Sequence, residues 1–112
     1  MSDCLFCKIA AGEIPSSKVF EDDQCLAFFD IDPQAPTHFL VIPKEHIGSV
    51  AEVNADNAGL VAHIFQVIAQ ETKRLGLDSY RVVSNIGEQA GQSVPHLHFH
   101  VLAGRDMTWP PG

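Results

Sequence analysis

The chain has 112 residues, 46% of them apolar, and a formal net charge of −7 with only seven lysines and arginines. That balance argues against nucleic-acid polymers as targets, because such binding rests on a basic footprint that neutralises many phosphates. No apolar run reaches the length of a membrane span, and the length fits one domain, residues 1–112, with a radius of gyration of roughly 13 Å.

The N-terminal stretch Met1-Ser2-Asp3-Cys4 has no basic segment followed by an apolar run, so cytoplasmic residence is the expectation. Residues 4–11 then read as a short helix closed by Gly12, and Pro15 restrains the connection that follows. Within that helix Cys4 and Cys7 form C-x-x-C, open to three readings: a redox motif, half of a zinc site, or plain small residues. The odd third cysteine, Cys25, weakens a disulfide framework and reads as a small buried hydrophobe. Residues 18–21 and 25–29 predict two strands of a short hairpin around an Asp22-Asp23 turn. Residues 30–36, with Pro33 and Pro36, are a loop, and residues 38–42 form a strand closed by Pro43.

One long helix is expected over residues 56–75, where Leu60, Ile64, Val67, Ile68 and Leu75 recur at helical spacing. Lys73 and Arg74 suit its last turn, Gly76 its end, and His63 reads as a solvated or locally hydrogen-bonded residue. Residues 80–83 form a fourth strand, followed by the polar, glycine-containing loop 84–93. The fifth strand carries His96-Leu97-His98-Phe99-His100-Val101-Leu102. Strands that outnumber helices, with hairpin neighbours, imply an α+β domain: a five-stranded antiparallel sheet with one long and one short helix. A chain this short buries only about 60–70% of its unfolded surface, so the apolar excess makes a homodimer the simplest expectation.

The histidine run carries the chemistry. Alternate side chains of a strand point to opposite faces, so His96, His98 and His100 share one face while Leu97, Phe99 and Val101 meet a core. A core strand with incidental histidines and a metal-binding strand are the alternatives to a catalytic or anion-binding face. A neutral imidazole can attack phosphorus when one ring nitrogen presents its lone pair and the other is held by an acceptor. His98, in the middle, is the candidate nucleophile, with His96 and His100 orienting it. The preceding loop adds donors for a phosphoryl group: the Asn85 amide, the Ser93 hydroxyl and backbone near Gly91. Asp30, at a strand end, is a candidate acceptor for ribose hydroxyls.

The run HLHFHVL matches the His-x-His-x-His-x-x signature of the histidine triad (HIT) superfamily. Residues 4–9 (CLFCKI), 19–23 (VFEDD), 35–47 (APTHFLVIPKEHI), 91–94 (GQSV) and 109–112 (WPPG) extend the likeness over nearly the whole chain. With so short a chain, the sequence resembles the histidine triad nucleotide-binding branch, of bacterial type. The resemblance implies a homodimer whose two five-stranded sheets join, and a hydrolase of purine nucleoside phosphoramidates such as those of AMP or GMP. A dinucleoside polyphosphate hydrolase, or a nucleotide-binding regulatory protein with residual catalysis, is the alternative. It further implies that His98 forms a nucleotidyl-histidine intermediate, with His100 and His38 in the triad network and His96 bordering the site. Asn85, Gly91, Gln92 and Ser93 would meet the phosphate and leaving group, and Asp30 the ribose. Phe6, Ile9, Ile14, Phe28 and Ile31 would wall the base pocket, and residues 109–112 would pack near the partner's site.

Two departures stand out: Pro95 where animal members carry an aromatic residue, and Cys7 where they carry glycine. The second, with Cys4, resembles bacterial relatives that hold zinc, and there Cys4, Cys7, His46 and His96 would be the ligands of a structural ion. No cofactor is implied for catalysis itself.

Overall fold

The computed structural model describes residues 4–112; residues 1–3 of the N-terminal stretch read above lie outside them. Helix α1 spans Leu5–Ala10, with Cys4 as its N-cap: the Cys4 sulfur accepts from the Cys7 amide at 3.2 Å. Strands β1 (Lys18–Glu21) and β2 (Cys25–Phe29) follow as the expected hairpin. Its connection includes Gln24 as well as Asp22 and Asp23, because one Asp22 oxygen accepts from both the Gln24 and Cys25 amides at 2.8 Å and draws the turn closed. Strand β3 runs Thr37–Pro43, and the long helix α2 runs Ala58–Arg74, one turn's fraction shorter at each end than the apolar period suggested. Strand β4 is Tyr80–Val83 and β5 is Phe99–Ala103. Short 3-10 turns at Val50–Glu52 and Glu88–Ala90 lie in the connections.

All five strands pair antiparallel in the order β1-β2-β3-β5-β4, the α+β architecture expected from the element pattern. The radius of gyration is 13.6 Å. Two-residue alternation sorts the buried side chains into two cores. Ala27, Phe39, Val41, Phe99 and Val101 meet Ile64, Val67 and Ile68 of α2 on one face. Leu26, Phe28, Leu40 and Ile42 meet Phe6 and Ile9 of α1 on the other. Cys25 is fully buried in the first core, where burial pushes its thiol up to about 12, and it is the small apolar filler expected.

The helix on the larger core is pinned at both ends by polar contacts. His63 has a distant partner: its Nε2 lies 2.6 Å from the second oxygen of Asp22, 41 residues away in the chain. Near the other end, the buried Glu71 carboxylate accepts from Arg74 Nε at 2.7 Å and Gln70 Nε2 at 2.9 Å, and Arg74 reaches on to the Val19 carbonyl. A buried carboxylate needs such donors, since an unpaired one costs several kcal/mol. Gly104, just after β5, has φ +98°, and a Cβ there would lie 2.9 Å from Pro36 Cβ. The close approach seats the 30–36 loop against the end of the histidine segment.

No helix among the described residues is long and apolar enough to cross a membrane.

Candidate active site and metal centre

The histidine segment departs from a plain strand. Only His100 lies within β5; His96 sits in a bend and His98 in the extended chain just before the ladder begins. The alternation nevertheless persists, with Leu97, Phe99 and Val101 in the α2-side core and the three imidazoles on the α1 side. At His96 and His98 that face is closed to bulk water. Helix α1 covers it, leaving His96 0% and His98 4% exposed. Phe6 is the cover: its ring stands edge-on to His98 at a centroid distance of 5.0 Å, to Phe28 at 5.7 Å and to His96 at 6.0 Å.

Each ring nitrogen can be assigned. His98 Nδ1 is 2.7 Å from the His96 carbonyl, which can only accept, so Nδ1 carries a proton and, in the neutral ring, Nε2 holds the lone pair. Ser84 donates its hydroxyl to the His98 carbonyl at 2.8 Å, fixing the backbone at that residue. A second chain begins at the Gln34 amide, which donates to His38 Nδ1 at 3.0 Å. His38 Nε2 must then bear the proton, which it donates to His100 Nδ1 at 2.9 Å, leaving His100 an Nε2–H. Asp30 is beside this link, 3.5 Å from His38 Nε2, with its other oxygen accepting from the Asp32 amide. Burial holds His38 below its ordinary value; burial, then the neighbouring His98 and His38, takes His100 down to about 4. Both rings are therefore neutral near pH 7, as the chain of assigned protons requires.

His98 and His100 open onto an apolar cavity of about 300 Å³, also lined by Phe6, Ile9, Phe28, Asp30, Ile31 and Ser93. Three lining residues were not anticipated: Leu5, Leu40 and Val94. Leu40 was within reach of sequence reasoning, since it shares the face of His38 two positions away. Ile14 instead packs at the margin of the α1-side core. Asn85 lines a neighbouring cleft with Val83, Trp109 and Pro111, and Trp109 is 81% exposed. Gly91 has φ +98°, with the Asn85 amide 3.7 Å from where a Cβ would stand. Gln92 is spent on the loop itself: Nε2 donates to the Gly48 and Val94 carbonyls and Oε1 accepts from the Gly87 amide. It shapes the approach to Ser93.

A second cluster abuts the first. Cys4 Sγ and His96 Nδ1 are 3.2 Å apart, Cys7 Sγ and His46 Nδ1 3.2 Å, Cys7 Sγ and His96 Nδ1 3.4 Å, and the two Nδ1 atoms 3.2 Å. All four donor atoms lie within 4.8 Å of one another. Zinc bound tetrahedrally at ordinary Zn–N and Zn–S lengths requires N···N and N···S edges of about 3.3 and 3.6 Å. The tautomer fits too: His96 Nε2–H donates to the Pro43 carbonyl at 2.9 Å, so its Nδ1 lone pair faces the cluster. Asp30, His38 and His100 also converge, but there the facing nitrogens share a proton that the Gln34 amide fixes in place. The first set is suited to a cation and the second to hydrogen bonding.

The sheet order and the buried histidine run beside an apolar cavity define a histidine triad protein. A model of the HIT domain matches residues 11–107, and the chain belongs to that family. An uncharacterised HIT-like protein of Synechococcus elongatus is 47% identical over 111 residues, which cover 98% of this chain and 97% of that one. A HIT family hydrolase from Legionella pneumophila has a structure similar to this one with a TM-score of 0.95 at 53% identity, covering 98% of this chain and 100% of its own. A histidine triad protein from Clostridium difficile gives 0.93 at 48% identity, with 96% of each chain covered.

The neutral pair predicts a pH-dependent stability. Below the ordinary histidine value of 6.5 the unfolded chain takes up protons that His38 and His100 refuse in the folded state. Their contribution is thus complete above pH 6.5 and is lost as the pH falls towards about 4. The melting temperature should drop across that window, and His100→Gln should flatten the slope. Thermal denaturation of both proteins at constant ionic strength checks it; parallel slopes would contradict the assignment.

Proposed function

We propose that the chain is a hydrolase and, more narrowly, that it cleaves the P–N bond of purine nucleoside phosphoramidates of the AMP or GMP type. The observation that carries the reading is the His98 Nδ1–H to His96 carbonyl bond, which leaves Nε2 as a lone pair on the edge of the cavity. A nucleophile needs that tautomer, and rigid orientation converts attack into an effectively intramolecular step. In the proposed reaction His98 Nε2 bonds to phosphorus while the P–N bond breaks. The Ser93 hydroxyl gives the amine its proton and recovers one from solvent. The His96 carbonyl steadies the imidazolium so formed, through Nδ1–H. Water then adds to phosphorus and releases one proton to solvent, the Nε2–P bond breaks with its electron pair returning to Nε2, and nucleoside monophosphate leaves. The His100 Nε2–H is a donor for a phosphoryl oxygen, the apolar walls suit a purine, and Asp30 on the rim is placed for ribose hydroxyls.

His98→Ala should abolish nearly all turnover of an AMP phosphoramidate while AMP still binds, and rapid quench with labelled substrate should trap label on the wild-type protein alone. Ser93→Ala should lose roughly 10- to 100-fold in turnover, the scale of proton-transfer assistance, with AMP affinity little changed. Substantial turnover by the His98 variant would end the assignment.

The Cys4, Cys7, His46 and His96 set is proposed to hold a structural zinc ion, supported by its edge lengths and by the His96 tautomer. When bound, the ion would supply cross-linking of α1 to the histidine segment and no chemistry at phosphorus. Protein purified without chelator should contain close to one zinc per chain by elemental analysis, and Cys7→Ser should lose it.

The homodimer is proposed on the exposed apolar residues Tyr80 and Val82 of edge strand β4 and Phe65 of α2. Sedimentation at micromolar concentration should give the mass of two chains; a single-chain mass would exclude it.

A further inference from the structure

We infer that the metal cluster and the nucleotide cavity are thermodynamically coupled through helix α1, so that each ligand tightens the other; this rests on the nucleotide reading above. The six-residue helix and its cap carry both functions in alternation. Cys4 and Cys7 face the cluster, while Leu5, Phe6 and Ile9 line the cavity. Phe6 lies between the two cysteines in sequence and sets its ring edge-on to His98, at 5.0 Å. The other two donors, His46 and His96, belong to the segments after β3 and before β5, so among the described residues the cluster ties α1 to the sheet alongside apolar packing.

That packing is the lesser of the two cores, and a helix of six residues is far below the length that is stable alone. The α2-side core shares none of these residues, so the sheet has packing of its own that does not run through them. Removing the cross-link therefore frees one wall of the cavity and the ring that braces His98, while leaving β2, β3 and β5 intact. A nucleotide that binds only the ordered wall must then restore it at the cost of its own affinity, and by linkage the metal's affinity rises by the same factor when nucleotide is present.

The test uses the full-length protein, zinc-loaded or stripped with chelator, with AMP as the probe. Titration calorimetry should show AMP binding weakened on stripping by about 10-fold, within the usual range of couplings. Competition with a chromophoric chelator should show zinc held tighter, by that same factor, when AMP is saturating. Hydrogen exchange should report lost protection over residues 5–10 in the stripped protein, with the amides of β2, β3 and β5 still protected. His46→Gln, which removes a donor that is not on α1, should weaken AMP binding at trace zinc and recover it at saturating zinc. Equal AMP affinity in the two forms, a His46→Gln defect that zinc does not rescue, or loss of protection throughout the sheet would each overturn the coupling. A zinc-loaded protein that binds no AMP would instead overturn the nucleotide reading, and the coupling with it.

Discussion

The two-residue alternation of the β2-β3-β5 ladder is the constraint on which the rest of this molecule depends. Register pairs Leu40 with His100 and Phe39 with Val101, so one parity of residues is committed to α2 and the other to α1. A slip of one position would exchange the two sets, placing imidazoles against Ile64 and Val67 and apolar rings in the cavity. The apolar core on the α2 side thus does more than stabilise: it holds the register that keeps three histidines together on the other face.

That arrangement explains how much could be read from the residues alone. Alternation in HLHFHVL is a local signal, and the division of Leu97, Phe99 and Val101 from the histidines followed from it directly. Five strands and the long helix were legible for the same reason, since period and punctuation act over a few residues. Burial of the histidines was not. It depends on α1, some ninety residues distant in the chain, folding over them, and nothing near residues 96–100 announces a cover. The strand's late start at Phe99 was hidden as well, because His96 and Leu97 are held by the Pro43 and Ile47 carbonyls rather than by a ladder.

The cavity divides in the same way. Phe6, Ile9, Phe28, Asp30, Ile31 and Ser93 line one cavity, whereas Ile14 packs at the margin of the α1-side core and Asn85 lines the next cleft. The backbone groups that assign each tautomer, the Gln34 amide and the carbonyls of His96 and Pro43, carry no residue-specific signature. Side-chain identity can nominate a nucleophile; only the folded main chain can say which of its nitrogens is free.

The His38–His100 pair has a further consequence. Its hydrogen bonds run in one sense, starting from a peptide N–H, and a peptide group neither gives up that proton nor reverses its polarity near neutral pH. A row of imidazoles is commonly a conduit along which protons hop; this one is closed at its inner end. Protons consumed or released beside His100 must therefore travel through the cavity mouth, in company with substrate and water. The back of the site works as a fixed dipole, and the mouth alone as the route of exchange.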